Sequence, residues 1–260
     1  MAKAQSQAAT QPEYTGLDFR FSDLQLEITN FAQVSRHFLE EEAREILHNW
    51  LMDLVNFRDS PRPEYTWAIS EEKPIRTIKT LDYDRKAGFS VHGELSCIWE
   101  INPKTEAKGK VKGKRANQIM CLNGLASTKI KIIRDDQDCR PRTIAQWQFE
   151  VGDHQSPGCH FHVGIGHFGS ESAVLPVPRL PSILLTPIDA LDFLLGEIFQ
   201  REWREVVSRE TDQMKAWSKK QKTRLSKLLK WKQDQIEGSG GSAWNYLKHQ
   251  RPVAQILLPD

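Results

Sequence analysis

The sequence lacks most of the features that place a chain quickly. It has no run of about 18 apolar residues, so no helical membrane span is expected, and its opening stretch MAKAQSQAATQPEYT has no apolar signal core. The four cysteines, Cys97, Cys121, Cys139 and Cys159, form no C-x-x-C pair, which argues against a zinc knuckle and a dense disulfide framework. They read as reduced thiols of a cytoplasmic protein. No repeat recurs at a solenoid period, and no serine near a histidine sits in a nucleophile elbow. Gly164-Ile165-Gly166-His167-Phe168-Gly169 has G-x-G-x-x-G spacing, but it follows an antiparallel strand and opens no helix, so no dinucleotide site is expected. An excess of one charge is missing too: 36 Lys+Arg stand against 34 Asp+Glu in 260 residues. A mean hydropathy of -0.55 and 39% hydrophobic residues describe an ordinary globular chain.

What is present divides the chain by period. Residues 1–15 read as a disordered N-terminus. From Ser22, a candidate N-cap with Gln25 three residues on, apolar residues recur through Ile28, Phe31, Val34, Phe38, Ile46, Leu47, Trp50, Leu51, Leu54 and Val55 at helical spacing. This predicts one N-terminal helix, ended by Pro61 and Pro63.

From Phe89 to Ile101 the period becomes two: Val91, Leu95, Cys97, Trp99 and Ile101 share one face, while His92, Glu94 and Glu100 share the other. Further strands are expected over 75–81, over 119–133 with an interruption at Asn123-Gly124, over 143–151 and over 159–165. Strands in succession without helices between them predict an antiparallel meander.

Thr186, Pro187 and Asp189 mark a helix start, and a second helix is expected over 212–237. Gly238-Ser239-Gly240-Gly241-Ser242 then reads as a flexible linker before a C-terminal tail. The fold class is therefore α+β: an N-terminal helix, a four- or five-stranded antiparallel sheet and two C-terminal helices packed on it. One domain is expected over 16–237, with linker and tail over 238–260.

Cys159-His160-Phe161-His162-Val163-Gly164, then Pro178-Arg179-Leu180-Pro181, then the helix from Pro187 resembles an uncharacterised bacterial protein family with an H-x-H strand, a P-R-x-P crossing and a following helix. The resemblance covers about residues 159 to 205. It implies a bacterial cytosolic origin and no particular activity.

Two kinds of chemistry stand out. His160 and His162 project from one side of a strand, and matching apolar faces across the 153–158 connection puts Glu150 opposite His160. Two histidines and a carboxylate compose a facial triad for one divalent transition metal, the alternative being no cofactor and a solvated outer face. His92 and Glu94 offer the same chemistry on another strand, with Glu94 or Glu150 as third ligand or general base.

The other chemistry is basic. Lys215, Lys219, Lys220, Lys222, Arg224, Lys227, Lys230 and Lys232 occur between Gln213 and Gln233 with no acidic residue among them. Lys108, Lys110, Lys112, Lys114 and Arg115 crowd a glycine-containing segment between strands. Like charge without acids calls for an anionic partner, and nucleic acid, DNA or RNA, is the expected one. In the basic helix Arg224 and Lys232 interrupt the apolar arc and are expected to snorkel. Trp217 and Trp231 could serve as stacking platforms or as core anchors.

The leading expectation is an intracellular nucleic-acid-binding or assembly protein making sequence-independent phosphate contacts. A metal-dependent enzyme on the sheet is the alternative. A protein-interaction subunit docking through the last helix and C-terminal tail is the third reading.

Overall fold

The chain leaves its first strand, β1 (Leu17–Arg20), and turns at once into α1 (Phe21–Val34). The computed structural model describes residues 17–81, 83, 88–103, 119–135, 141–152, 158–165 and 180–250. After a short 3-10 turn over Arg36–Phe38 come α2 (Glu41–Asp59), β2 (Tyr65–Ile69), β3 (Ile75–Arg76), β4 (Ser90–Pro103), β5 (Ile119–Asp135), β6 (Arg142–Val151), β7 (His160–Ile165) and β8 (Leu180–Pro181). The helices α3 (Pro187–Val207), α4 (Asp212–Glu237) and α5 (Ala243–His249) complete the described chain.

The class is α+β, but the antiparallel sheet has eight strands rather than four or five. Its order is β2-β4-β5-β6-β7-β8, with β1 paired to the start of β5 and β3 to β4. The surplus is β1, β2 and β8, segments of four, five and two residues that display little or no alternation.

The single N-terminal helix is in fact two. The Ser35 hydroxyl donates back to the Phe31 carbonyl at 2.8 Å, an alternative to helical bonding. Leu39 then bridges to Thr77, drawing the backbone to the sheet before α2 begins. Ser22 is not the cap: Arg20 occupies that position in extended geometry with no side-chain capping bond, because it is already paired to Ile119 in β1.

Nor does Asn123-Gly124 interrupt a strand. β5 runs through it, and residues 123–125 lie opposite Glu100 alone, between the pairs Trp99↔Ala126 and Ile101↔Leu122. The turn signal is absorbed as a bulge, pinned by the Leu125 amide donating to Glu100 Oε2 at 3.1 Å.

The core lies between the apolar face of the sheet and the helices. Val91, Leu95, Cys97, Trp99 and Ile101 of β4 are all buried, as their alternation requires. α3 crosses them so closely that a Cβ at Gly93 would stand 2.6 Å from Ile198 Cδ1. Trp50 stacks on Trp67 at 3.7 Å, and the Trp67 indole donates to the Trp50 carbonyl. The predicted start of α3 holds: Thr186 and Asp189 form a reciprocal capping box with Pro187 in the first turn.

α4 spans the expected residues and buries Met214, Trp217, Leu228 and Trp231. Both tryptophans are core anchors, so neither offers a ring for base stacking. Arg224 does not snorkel. It is buried against Glu27 of α1, at 2.6 and 2.8 Å, and Asp189 of α3, at 2.7 and 3.2 Å. No described helix is long and apolar enough to cross a membrane.

Candidate metal centre

Two neighbouring strands, β6 and β7, carry the triad, and β5 beside them carries a support. Ser127 of β5 faces Glu150 of β6, which faces His160 of β7; one step along, Lys129 faces Gln148, which faces His162. Residues paired across antiparallel strands share a face, so all six side chains rise from the outer surface of the sheet.

Glu150 stands between the histidines. Its Oε2 lies 3.3 Å from His160 Nε2 and 3.3 Å from His162 Nε2. Its Oε1 accepts from the Gln148 amide at 2.6 Å and the Ser127 hydroxyl at 3.2 Å, and Gln148 also donates to Ser127 at 3.1 Å. One carboxylate oxygen is thus tied to the sheet and the other is left for the imidazoles. The adjacent His160 imidazole works against burial to hold the carboxyl well below its usual range, at about 2, with help from Gln148, Ser127 and the charge of His162.

The two histidines differ. The His160 side chain is 1% exposed and that of His162 32%. His160 Nδ1 lies 3.0 Å from the Gly158 carbonyl, which only accepts, so Nδ1 carries the proton and donates. Nε2 is buried and finds no hydrogen-bond partner, although Glu150 Oε2 lies 3.3 Å away. A ring held by Nδ1 with Nε2 turned into the site is the usual posture of a metal-ligating histidine.

The donor atoms of Glu150, His160 and His162 lie within 4.8 Å of one another. Ligand bonds of about 2.0–2.1 Å in a tetrahedral shell put donor atoms about 3.3–3.4 Å apart. Both Glu150–His separations already meet this, and half-buried His162 is the most accessible of the three. Three protein donors are fewer than the four of a tetrahedral shell, so a metal held by them would keep at least one position for water or substrate.

The structure does not bring His92 and Glu94 to this centre. His92 Nδ1 is 2.6 Å from Asp135 Oδ2, Glu94 is bonded to Arg76 at 2.9 Å, and Lys79 pairs with Asp135 at 3.2 Å. Those carboxylates are already neutralised by cations, as in an ion network rather than a ligand set.

The basic residues fare unevenly. Lys108, Lys110, Lys112, Lys114 and Arg115 lie outside the described residues. Lys215, Lys219, Lys222 and Lys230 are exposed on α4, whereas Lys227 is half-buried and Lys220 is bonded to Asp23 of α1.

Reading the sequence for chemistry missed the supports of the triad. Neither Gln148 nor Ser127 carries a signal in the sequence that it will hold Glu150, and nothing in a glycine announces that its carbonyl will orient a histidine. No family model matches the chain, and neither a curated protein nor a solved structure matches it.

Proposed function

We propose that the protein is a metal-dependent enzyme whose centre is one divalent transition metal held by His160, His162 and Glu150. The observation that carries this is the buried, unpartnered Nε2 of His160 beside an anionic carboxylate, on a ring already fixed through its other nitrogen. A buried polar atom without a bond costs about 1–3 kcal/mol, and a metal ion relieves it. Nitrogen and carboxylate donors suit zinc or iron(II), and open positions permit Lewis-acid polarisation of a substrate or activation of a bound water. The test is metal binding by the full chain followed by calorimetry. Wild type should take up one Zn(II) or Co(II) per chain, and the E150Q and H160Q variants should not. Equal uptake by all three chains would overturn the reading.

A second reading has its own observation. Lys215, Lys219, Lys222 and Lys230 occupy an arc of about 80° on the solvent side of α4, taking 100° per residue. Such a ridge can meet a phosphate backbone through sequence-independent contacts. Replacing Lys219, Lys222 and Lys230 by Ala should flatten the salt dependence of DNA or RNA binding by up to about 3 in log–log slope. Absence of binding at low salt would remove this function.

A further inference from the structure

The solvent face of α4 carries more than lysines. Lys215, Lys222, Leu229 and Ile236 follow one another at seven-residue intervals, and all four are exposed. Seven residues at about 100° each fall only about 20° short of two turns, so the four form one line along the helix, about 32 Å long. Its first half is cationic and its second half aliphatic. Lys219 and Lys230 flank the line on one side, and no acidic residue occurs between Gln213 and Gln233.

The helix has already buried its other side. Met214, Trp217, Leu228 and Trp231 are in the core, yet Leu229 is left 58% exposed and Ile236 47%. Among the described residues the three most exposed large apolar side chains are Trp244, Leu81 and Leu229. Two of these belong to α4 and to α5, the short helix packed on it.

The cations are also uncommitted. Lys215 pairs with Glu210 at 3.2 Å in full solvent, while Lys219, Lys222 and Lys230 make no ion pair with a described residue. A phosphate backbone engages such lysines but gives Leu229 and Ile236 no partner. An anionic bilayer uses both: its headgroups attract the ammonium groups, and aliphatic side chains enter the boundary between headgroups and acyl chains.

We infer that the exposed face of α4 docks on an anionic lipid surface, with Lys219, Lys222 and Lys230 on the headgroups and Leu229 and Ile236 at the acyl boundary. The inference does not depend on the metal centre. It competes with nucleic acid for the same lysines, and the aliphatic pair separates the two.

The test is co-sedimentation of the full chain with phosphatidylcholine vesicles, with and without phosphatidylserine, beside titration of a DNA duplex and a single-stranded RNA. Wild type should bind the serine-containing vesicles at low salt and ignore phosphatidylcholine alone. At about fivefold per cation, K219Q/K222Q/K230Q should weaken vesicle binding about 100-fold. L229Q/I236Q should weaken it about tenfold and leave any DNA or RNA binding unchanged. All five side chains are exposed, so both variants should melt as wild type does. Absence of binding to anionic vesicles at low salt would overturn the inference. Vesicle binding that survives the lysine changes, or that L229Q/I236Q leaves untouched, would overturn it too. Tighter binding of duplex or RNA than of vesicles, lost with the lysines and kept without the aliphatic pair, would assign the face to nucleic acid instead.

Discussion

Arg224 on α4 forks across Glu27 on α1, two hydrogen bonds joining residues 197 positions apart in the chain. Its remaining bonds go to Asp189, which closes the capping box of α3 with Thr186, so one guanidinium ties three helices together. Burial of this group is sustained by the two carboxylates, whose attraction outweighs desolvation and raises the Arg224 pKa.

Removing Arg224 should therefore cost far more than an ordinary surface change. Arg224→Ala leaves Glu27 and Asp189 buried without their cation, and breaking one partner of a buried pair costs about 3–5 kcal/mol. Urea unfolding should show that loss. Replacing Arg224, Glu27 and Asp189 together by apolar residues of similar size should recover part of it.

Truncation after Arg209 extends the same argument. It removes Met214, Trp217, Leu228 and Trp231 from the core and exposes Phe31, against which Trp217 packs at 5.1 Å. A lower melting temperature or aggregation should follow. Unchanged melting would mean that α4 is not part of the folded core.

His92 gives the fold a pH dependence on its neutral-to-alkaline side. Burial lowers its pKa, but bonds to Glu94 and Asp135, together with their charges, outweigh this and raise it above the usual value of 6.5. A group whose folded pKa is raised contributes stability that is complete below 6.5 and is lost as pH rises through the folded value. Unfolding free energy measured across that interval should fall in wild type and change less in His92→Gln.

Glu150 acts in the opposite direction. Its folded pKa is depressed from 4.5 to about 2, so its contribution is full above about 4.5 and disappears as pH falls toward 2. Metal-free Glu150→Gln should lose that part of the acid dependence while keeping the dependence due to His92. Acid titration of both chains by circular dichroism checks the sign.

Gln148 and Ser127 should matter to metal rather than to folding. They hold the distal oxygen of Glu150, and loss of such supports lowers metal affinity about 10–100-fold. Gln148→Leu should weaken Zn(II) binding to that extent with little change in melting of the metal-free chain. A large fall in melting without an affinity change would make the pair purely structural.

The parts legible in the sequence are those in which one period dominates. β4 shows its strict alternation, α4 its long amphipathic stripe and Thr186-Pro187-Asp189 its capping chemistry, all before any tertiary contact is considered. The pairing of Glu150 with His160 was legible for the same reason: buried faces on two adjacent strands permit one register.

What escaped depends on long-range partners. Leu17–Arg20 and Tyr65–Ile69 become strands because β5 and β4 pair with them. The break between α1 and α2 is fixed by the Leu39 bridge to Thr77, and the fate of Arg224 by acids on two other helices. A helical wheel of α4 contains neither acid, so snorkelling was the only outcome it could suggest.

The central claim is that Glu150, His160 and His162 form a metal site, and extended X-ray absorption of the Zn(II)-loaded chain measures it most directly. The account predicts one zinc per chain with two imidazole nitrogens and carboxylate or water oxygen at about 2.0–2.2 Å, and loss of the imidazole scattering signature in His160→Gln/His162→Gln. A zinc shell without histidine, or zinc retained with the same shell in the double variant, would contradict it.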